Sequence, residues 1–154
     1  QLIYKIMADL VTTISETVTL NGSLRGSVNA VTTTGINDVF ERIVTCTASV
    51  VTTVAVFDTL PSTSAGAIDV DRTKYVRVTN LETAVDIELA VQTTTSSYTV
   101  TVRAGGSHVL YSGDVIALGQ VGAPTFGTML NLASLQVQPT TAVTARVEVF
   151  VGVE

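Results

Sequence analysis

The feature that most constrains this chain is a swap of polar and apolar residues at every second position, repeated along most of its length. Thr99-Val100-Thr101-Val102-Arg103 alternates at each step, as do Tyr75-Val76-Arg77-Val78-Thr79, Val85-Asp86-Ile87-Glu88-Leu89 and Ala145-Arg146-Val147-Glu148-Val149-Phe150-Val151. Successive side chains of a strand point to opposite faces, so period two puts one set inward and the other toward water. One wet and one dry face per strand implies antiparallel sheets. Thr, Val and Ile dominate these segments, and β-branched side chains suit a pleated, half-buried surface. No segment carries a 3.6-residue pattern.

The alternation predicts strands near residues 10–20, 23–33, 39–48, 52–58, 74–81, 84–91, 97–103, 107–112, 132–138 and 143–152. Turn chemistry supports the divisions. Asn21-Gly22 is a strong hairpin signal. Asn80-Leu81-Glu82-Thr83, Ala104-Gly105-Gly106 and Pro139-Thr140-Thr141 join other pairs. Residues 59–73, with Pro61 and Gly66, read as a long surface loop. Residues 113–128 read as a second loop, rich in Gly yet apolar through Val115, Ile116, Leu118, Val121 and Phe126. A single helical turn fits within Ala123–Leu130. Many short strands with such spacing predict an all-β fold, an antiparallel β-sandwich, jelly-roll-like, of about eight to ten strands. A closed barrel is the alternative. No internal repeat of about 20–50 residues and no linker is visible. The domain plan is therefore one β-sandwich over 7–154. Met7-Ala8-Asp9 reads as a translation start, which makes residues 1–6 an upstream extension or disordered tail.

The chain has 154 residues, enough for one packed core,. Charged residues are 14 % against 46 % hydrophobic, and the net charge is −5. The eight Lys and Arg are scattered, so no basic stripe exists to displace counterions from nucleic acid or to meet an anionic membrane,. No direct nucleic-acid or membrane partner is expected. No apolar run approaches the ~20 residues of a membrane helix.

Residues able to do chemistry are few. Cys46 is the one cysteine and lies in a strand-like stretch, so it reads as a small core thiol,. His108 is the one histidine. A Ser–His–Asp set can be forced from Ser107, His108 and Asp114, but adjacent strand residues point to opposite faces. Asp69 and Asp71 form a close carboxylate pair in a loop, where a solvated turn is the simpler reading than a Ca²⁺ site. Asp86 and Glu88 share a face of one strand. No phosphate-binding glycine motif is present. Asn21-Gly22-Ser23 matches a glycosylation sequon, but turn chemistry explains it better. Trp is absent, and Tyr75, Tyr98 and Tyr111 fall near strand ends, where edge packing is expected over a sugar platform. Tyr4 is the fourth tyrosine. The expectation is a protein that is not an enzyme, with no catalytic residues, no metal site and no cofactor.

A surface poor in charge and rich in apolar side chains favours association. Edge strands add to this, because Lys and Pro, their usual guards, are scarce. A homo-oligomer such as a trimer is expected, with the loops 59–73 and 113–128 and the last strand, Val143 to Val153, as contacts.

The stretch Lys74-Tyr75-Val76-Arg77-Val78-Thr79-Asn80-Leu81-Glu82, followed by Ile87-Glu88-Leu89, resembles small virion structural proteins of marine bacteriophages. So do the Met7-Ala8-Asp9 start and the ending Ala133-Ser134-Leu135-Gln136-Val137 … Val147-Glu148-Val149-Phe150-Val151. The likeness is one of style over most of 7–154. It implies a capsid, decoration or minor capsid subunit, located in the virion, whose partners are itself and other virion proteins. It transfers no active site. A glycan- or receptor-binding β-sandwich module is the alternative function.

Overall fold

A computed structural model describes residues 7–120, 122–124, 126–127 and 129–154. The chain divides into two compact units, Gln1–Asn37 and Asp38–Glu154. The first is a β-ribbon. Strand β1 (Ala8–Ser15) pairs antiparallel with β4 (Val28–Ile36), and β2 (Val18–Leu20) pairs with β3 (Ser23–Arg25). Asn21 and Gly22 both have positive φ, 50° and 75°, the backbone that a two-residue type I′ hairpin turn requires,. The register of β1 with β4 shifts between Ala8 and Leu10, and between the two strand pairs Glu16 N–H bonds Ser27 C=O at 2.9 Å. There Gly26 has φ 117°, and a Cβ at this position would lie 2.0 Å from the Glu16 carbonyl oxygen, so only glycine fits,.

The second unit is a sandwich of nine strands among the described residues: β5 (Asp38–Cys46), β6 (Thr52–Asp58), β7 (Ile68–Asp69), β8 (Thr73–Asn80), β9 (Ile87–Thr93), β10 (Ser97–Val102), β11 (Ser107–Leu110), β12 (Leu132–Pro139) and β13 (Ala145–Val153). One sheet runs β10-β9-β12-β6-β7 and the other β11-β8-β13-β5. All pairings are antiparallel except the two-residue contact of β6 with β7. This bears out the all-β, antiparallel sandwich.

The alternation read from the sequence becomes the core. In β13, Ala145, Val147, Val149 and Val151 are fully buried while Arg146, Glu148 and Phe150 face outward. Ile87, Leu89 and Val91 of β9 face them from the other sheet, with Leu132, Leu135 and Val137 of β12. Cys46, at the end of β5, is wholly buried in this cluster. Burial pushes its thiol pKa up, against a smaller opposing effect of a hydrogen bond with Thr52,.

Several expectations change. One sandwich was expected over residues 7–154; the two layered sheets lie in Asp38–Glu154, and among the described residues β1 to β4 pair with one another. The last strand, Val143 to Val153, was expected to pair or swap with a neighbour; within this chain β13 is already hydrogen-bonded on both sides, to β5 and β8. The expected strand at 84–91 begins three residues later, as β9 (Ile87–Thr93), and just before it the Asp86 carboxylate accepts the Ala104 N–H at 2.9 Å. Among the described residues of Ala123–Leu130 there is no helix, and the one short 3₁₀ turn sits at Pro61–Thr63 in the other loop. The expectation for residues 1–6 and for Tyr4 lies outside the described residues.

Candidate functional site

The Ser107, His108 and Asp114 side chains go to different places. Ser107 Oγ lies 2.7 Å from Thr79 Oγ1 on the neighbouring strand. His108 Nε2 lies 3.1 Å from the Tyr98 hydroxyl, with the rings edge to face. Asp114 closes a local turn, its N–H donating to Ser112 Oγ at 3.0 Å. No Ser–His–Asp chain forms among these three. Burial lowers the His108 pKa and raises that of Tyr98,. A neutral imidazole accepting the phenol proton at Nε2 fits both directions.

The carboxylates are held in structural roles. Asp69 Oδ1 accepts the Asp71 N–H at 3.2 Å, and the Asp69 carbonyl accepts Thr73 Oγ1–H at 2.7 Å. Asp86 takes the Ala104 N–H and an Arg103 guanidinium at 3.4 Å, while Glu88 is exposed on β9. Glu82 accepts the Arg146 N–H at 2.9 Å and its Nε–H at 3.1 Å, and this backbone bond first, then the side-chain bond, holds its carboxyl below the usual range. Among the described residues, no three His, Cys, Asp or Glu stand close enough to hold a metal ion.

The outer face of the four-stranded sheet collects side chains that are far apart in the chain. Tyr75 meets Tyr111 and Phe150 edge to face, at ring-centre distances of 5.9 and 6.0 Å,. Arg77 lies 5.7 Å over the Phe150 ring, bonds Thr79 Oγ1 and pairs with Glu148,. Tyr75 is buried in this cluster, while Tyr111 is 46 % exposed. The register explains the gathering: Phe150 is opposite Arg77, and Glu148 is opposite Thr79. Elsewhere a cleft of about 480 Å³ opens between Phe57, Val70, Leu130 and Leu132, with Asp58 its charged residue. One Asp58 oxygen already accepts the Leu60 N–H at 3.0 Å.

The apolar loop 113–128 is pinned at its base. Gly113 N–H bonds Thr73 C=O at 3.1 Å, Leu132 N–H bonds Gly113 C=O at 2.9 Å, and Ala117 bridges Leu130. Beyond that base Val115, Leu118, Phe126 and Met129 face solvent, Phe126 at 86 %.

The ribbon is the most unusual surface. Val11, Ile14, Val18, Leu20, Leu24, Val28 and Val31 are all exposed, from 46 % for Val31 to 71 % for Leu24. Its ladder does little to cover them. Leu10 is opposite Thr33, Val11 opposite Thr32, Thr12 opposite Val31, Ile14 opposite Asn29 and Ser15 opposite Val28. In the hairpin tip Val18 faces Arg25, Thr19 faces Leu24 and Leu20 faces Ser23. Each of these pairs sets an apolar residue against a polar one, so apart from Ala8 opposite Ile36 the ribbon has few of the cross-strand hydrophobic pairs that stabilise sheets,. Leu10, Ile14 and Val31 fall on one face, and Val11, Val28 and Ala30 on the other. Neither face is a dry side. A lone two-stranded ribbon is marginally stable in water. Fully burying one Val, Leu or Ile contributes roughly 1.5–3 kcal/mol, so covering seven half-exposed ones contributes several.

The molecule therefore comprises an antiparallel β-sandwich and, before it in sequence, a β-ribbon arm whose apolar faces have no second layer among the described residues of that unit. No known family, no curated protein and no solved structure matches the chain.

Proposed function

We propose that the protein is a non-enzymatic structural subunit of a virion, a capsid, decoration or minor capsid protein, that assembles with itself and with other virion proteins. The observation that carries this reading is the arm, residues 8–36, with apolar side chains on both faces and no core of its own. A chain that keeps such an arm gains most when other subunits cover it. The solvent-facing Phe126 and Val115 of the 113–128 loop supply a second apolar contact. The doubly flanked β13 and the fully buried valines make the sandwich a rigid bearer for these contacts. The test is native mass by light scattering over a range of concentrations, with negative-stain microscopy of the heavier fractions. A discrete oligomer or growing particles is the expected result. A monomer at every concentration, in the presence and absence of assembled capsids, refutes it.

One observation favours a second reading. Tyr111, 46 % exposed, packs edge to face on the buried Tyr75, which in turn meets Phe150, so this cluster presents the Tyr111 ring to a ligand. Glycan-array binding that disappears in Tyr111→Ala would favour a receptor-binding module.

A further inference from the structure

We infer that the arm's occupant is the arm of another copy: residues 8–36 of separate subunits pack on one another to form shared β-structure. The inference rests on the self-association reading and names the surface that performs it.

Three observations select this occupant. The first is charge. The arm holds only Asp9, Glu16 and Arg25, net −1, whereas Asp38–Glu154 holds eleven Asp and Glu against six Lys and Arg. Two sandwiches that approach one another repel through that surplus, and two arms almost not at all. The second is the pattern. Apolar and Thr side chains interleave on both faces, most apolar residues lying opposite a Thr, Ser or Asn. A copy of the same ribbon presents the same checkerboard, so apolar side chains of one can seat beside Thr and Ser of the other. Two apolar faces also let each arm meet more than one neighbour, which a single-sided sheet cannot do. The third is size and connectivity. A standard stable interface takes about 20–30 residues a side, and the arm from Ala8 to Ile36 supplies a number of that order. Among the described residues β1 and β4 are hydrogen-bonded only to each other, so each has an outer edge on which another subunit can add a strand.

The experiment uses the full chain. Two double variants place charge on opposite faces: Ile14→Asp with Val31→Asp, and Val11→Asp with Val28→Asp. These side chains are exposed, so circular dichroism should show the sandwich intact in both. In a third protein, Thr13→Cys carries pyrene. Cys46 is buried and stays unlabelled in the folded state. The expected result is a wild type that associates, both double variants shifted to at least tenfold higher concentration for half-association, and pyrene excimer emission that fades on dilution. If wild type and double variants associate alike and no excimer appears, the arm inference is overturned while self-association stands, with the 113–128 loop as its alternative seat. If the wild type stays monomeric throughout, both fall.

Discussion

Asn80 is the residue whose replacement tests the sandwich most sharply. It is completely buried at the end of β8, one of the few buried polar residues in the core. Its Nδ2 donates to the carbonyls of Val85 at 2.7 Å and Val102 at 3.1 Å, and its Oδ1 accepts the Glu82 N–H at 3.0 Å. Its own backbone bonds Gly106 C=O at 2.9 Å and Gly105 N–H at 3.1 Å. One side chain thus ties the turn between β8 and β9 to the end of β10, beside the turn into β11. Asn80→Ala keeps the backbone bonds and removes the three side-chain bonds. The buried Val102 carbonyl loses a partner that water cannot readily replace, at about 1–3 kcal/mol, and the two less buried bonds contribute about 0.5–1.5 kcal/mol each. The expected loss is about 2–6 kcal/mol, a large share of the roughly 5–15 kcal/mol of a whole domain. At about 2–4 °C per kcal/mol for a chain of this size, Tm falls by roughly 4–24 °C. Asn80→Asp should be worse, because it aims carboxylate oxygens at two carbonyls. Guanidinium denaturation with linear extrapolation, together with thermal melts by circular dichroism, measures both. An Asn80→Ala protein within about 0.5 kcal/mol of the wild type would refute the reasoning, since it would mean that these bonds carry no net stability.

Other expectations follow from the same structure. Leu89→Ala opens a cavity at a fully buried position facing the second sheet and should cost about 2–5 kcal/mol, read from the shift of the denaturation midpoint,. Burial holds the His108 pKa below 6.5, so the unfolded chain takes up the proton first as pH falls,. Stability should be unaffected above that value and decline below it, down to the lower folded pKa; comparing denaturation midpoints at about pH 7.5 and about pH 5.5 measures this, and His108→Gln should remove its share of the slope. Cys46, buried and with a raised pKa, should react with a thiol reagent only as fast as the sandwich opens, and rapid labelling in native buffer would contradict its placement,.

The places where sequence and structure part company share a cause. Arg77 and Glu148 are 71 residues apart, and nothing local to either announces the other. The same holds for Tyr98 with His108, which meet across two different sheets. Asn80 was legible as a turn residue, and its Oδ1 bond to Glu82 N–H is that turn,. Its two amide bonds were not, because one of their acceptors, Val102, comes from a distant strand. The arm was read as strands with a hairpin turn, correctly in both respects, since Asn21-Gly22 and the Thr/Val content act locally. That its strands pair among themselves and not with the sandwich sheets was missed because alternation signals a strand without naming its partner.

Taken by itself, the sequence determined which segments become strands, which side of Ala145–Val151 turns inward, and where the chain reverses at Asn21-Gly22. These depend on side-chain direction and on positive φ, which neighbours along the chain decide. Only the tertiary structure decided that β13 is interior and β5 an edge, that Tyr75, Tyr111 and Phe150 gather on one face, and that the unit ending at Asn37 pairs within itself. Those outcomes depend on which strands meet across long stretches of chain. Period two is the same for an interior strand, an edge strand and a ribbon, so partner choice is settled by the packing of the whole core.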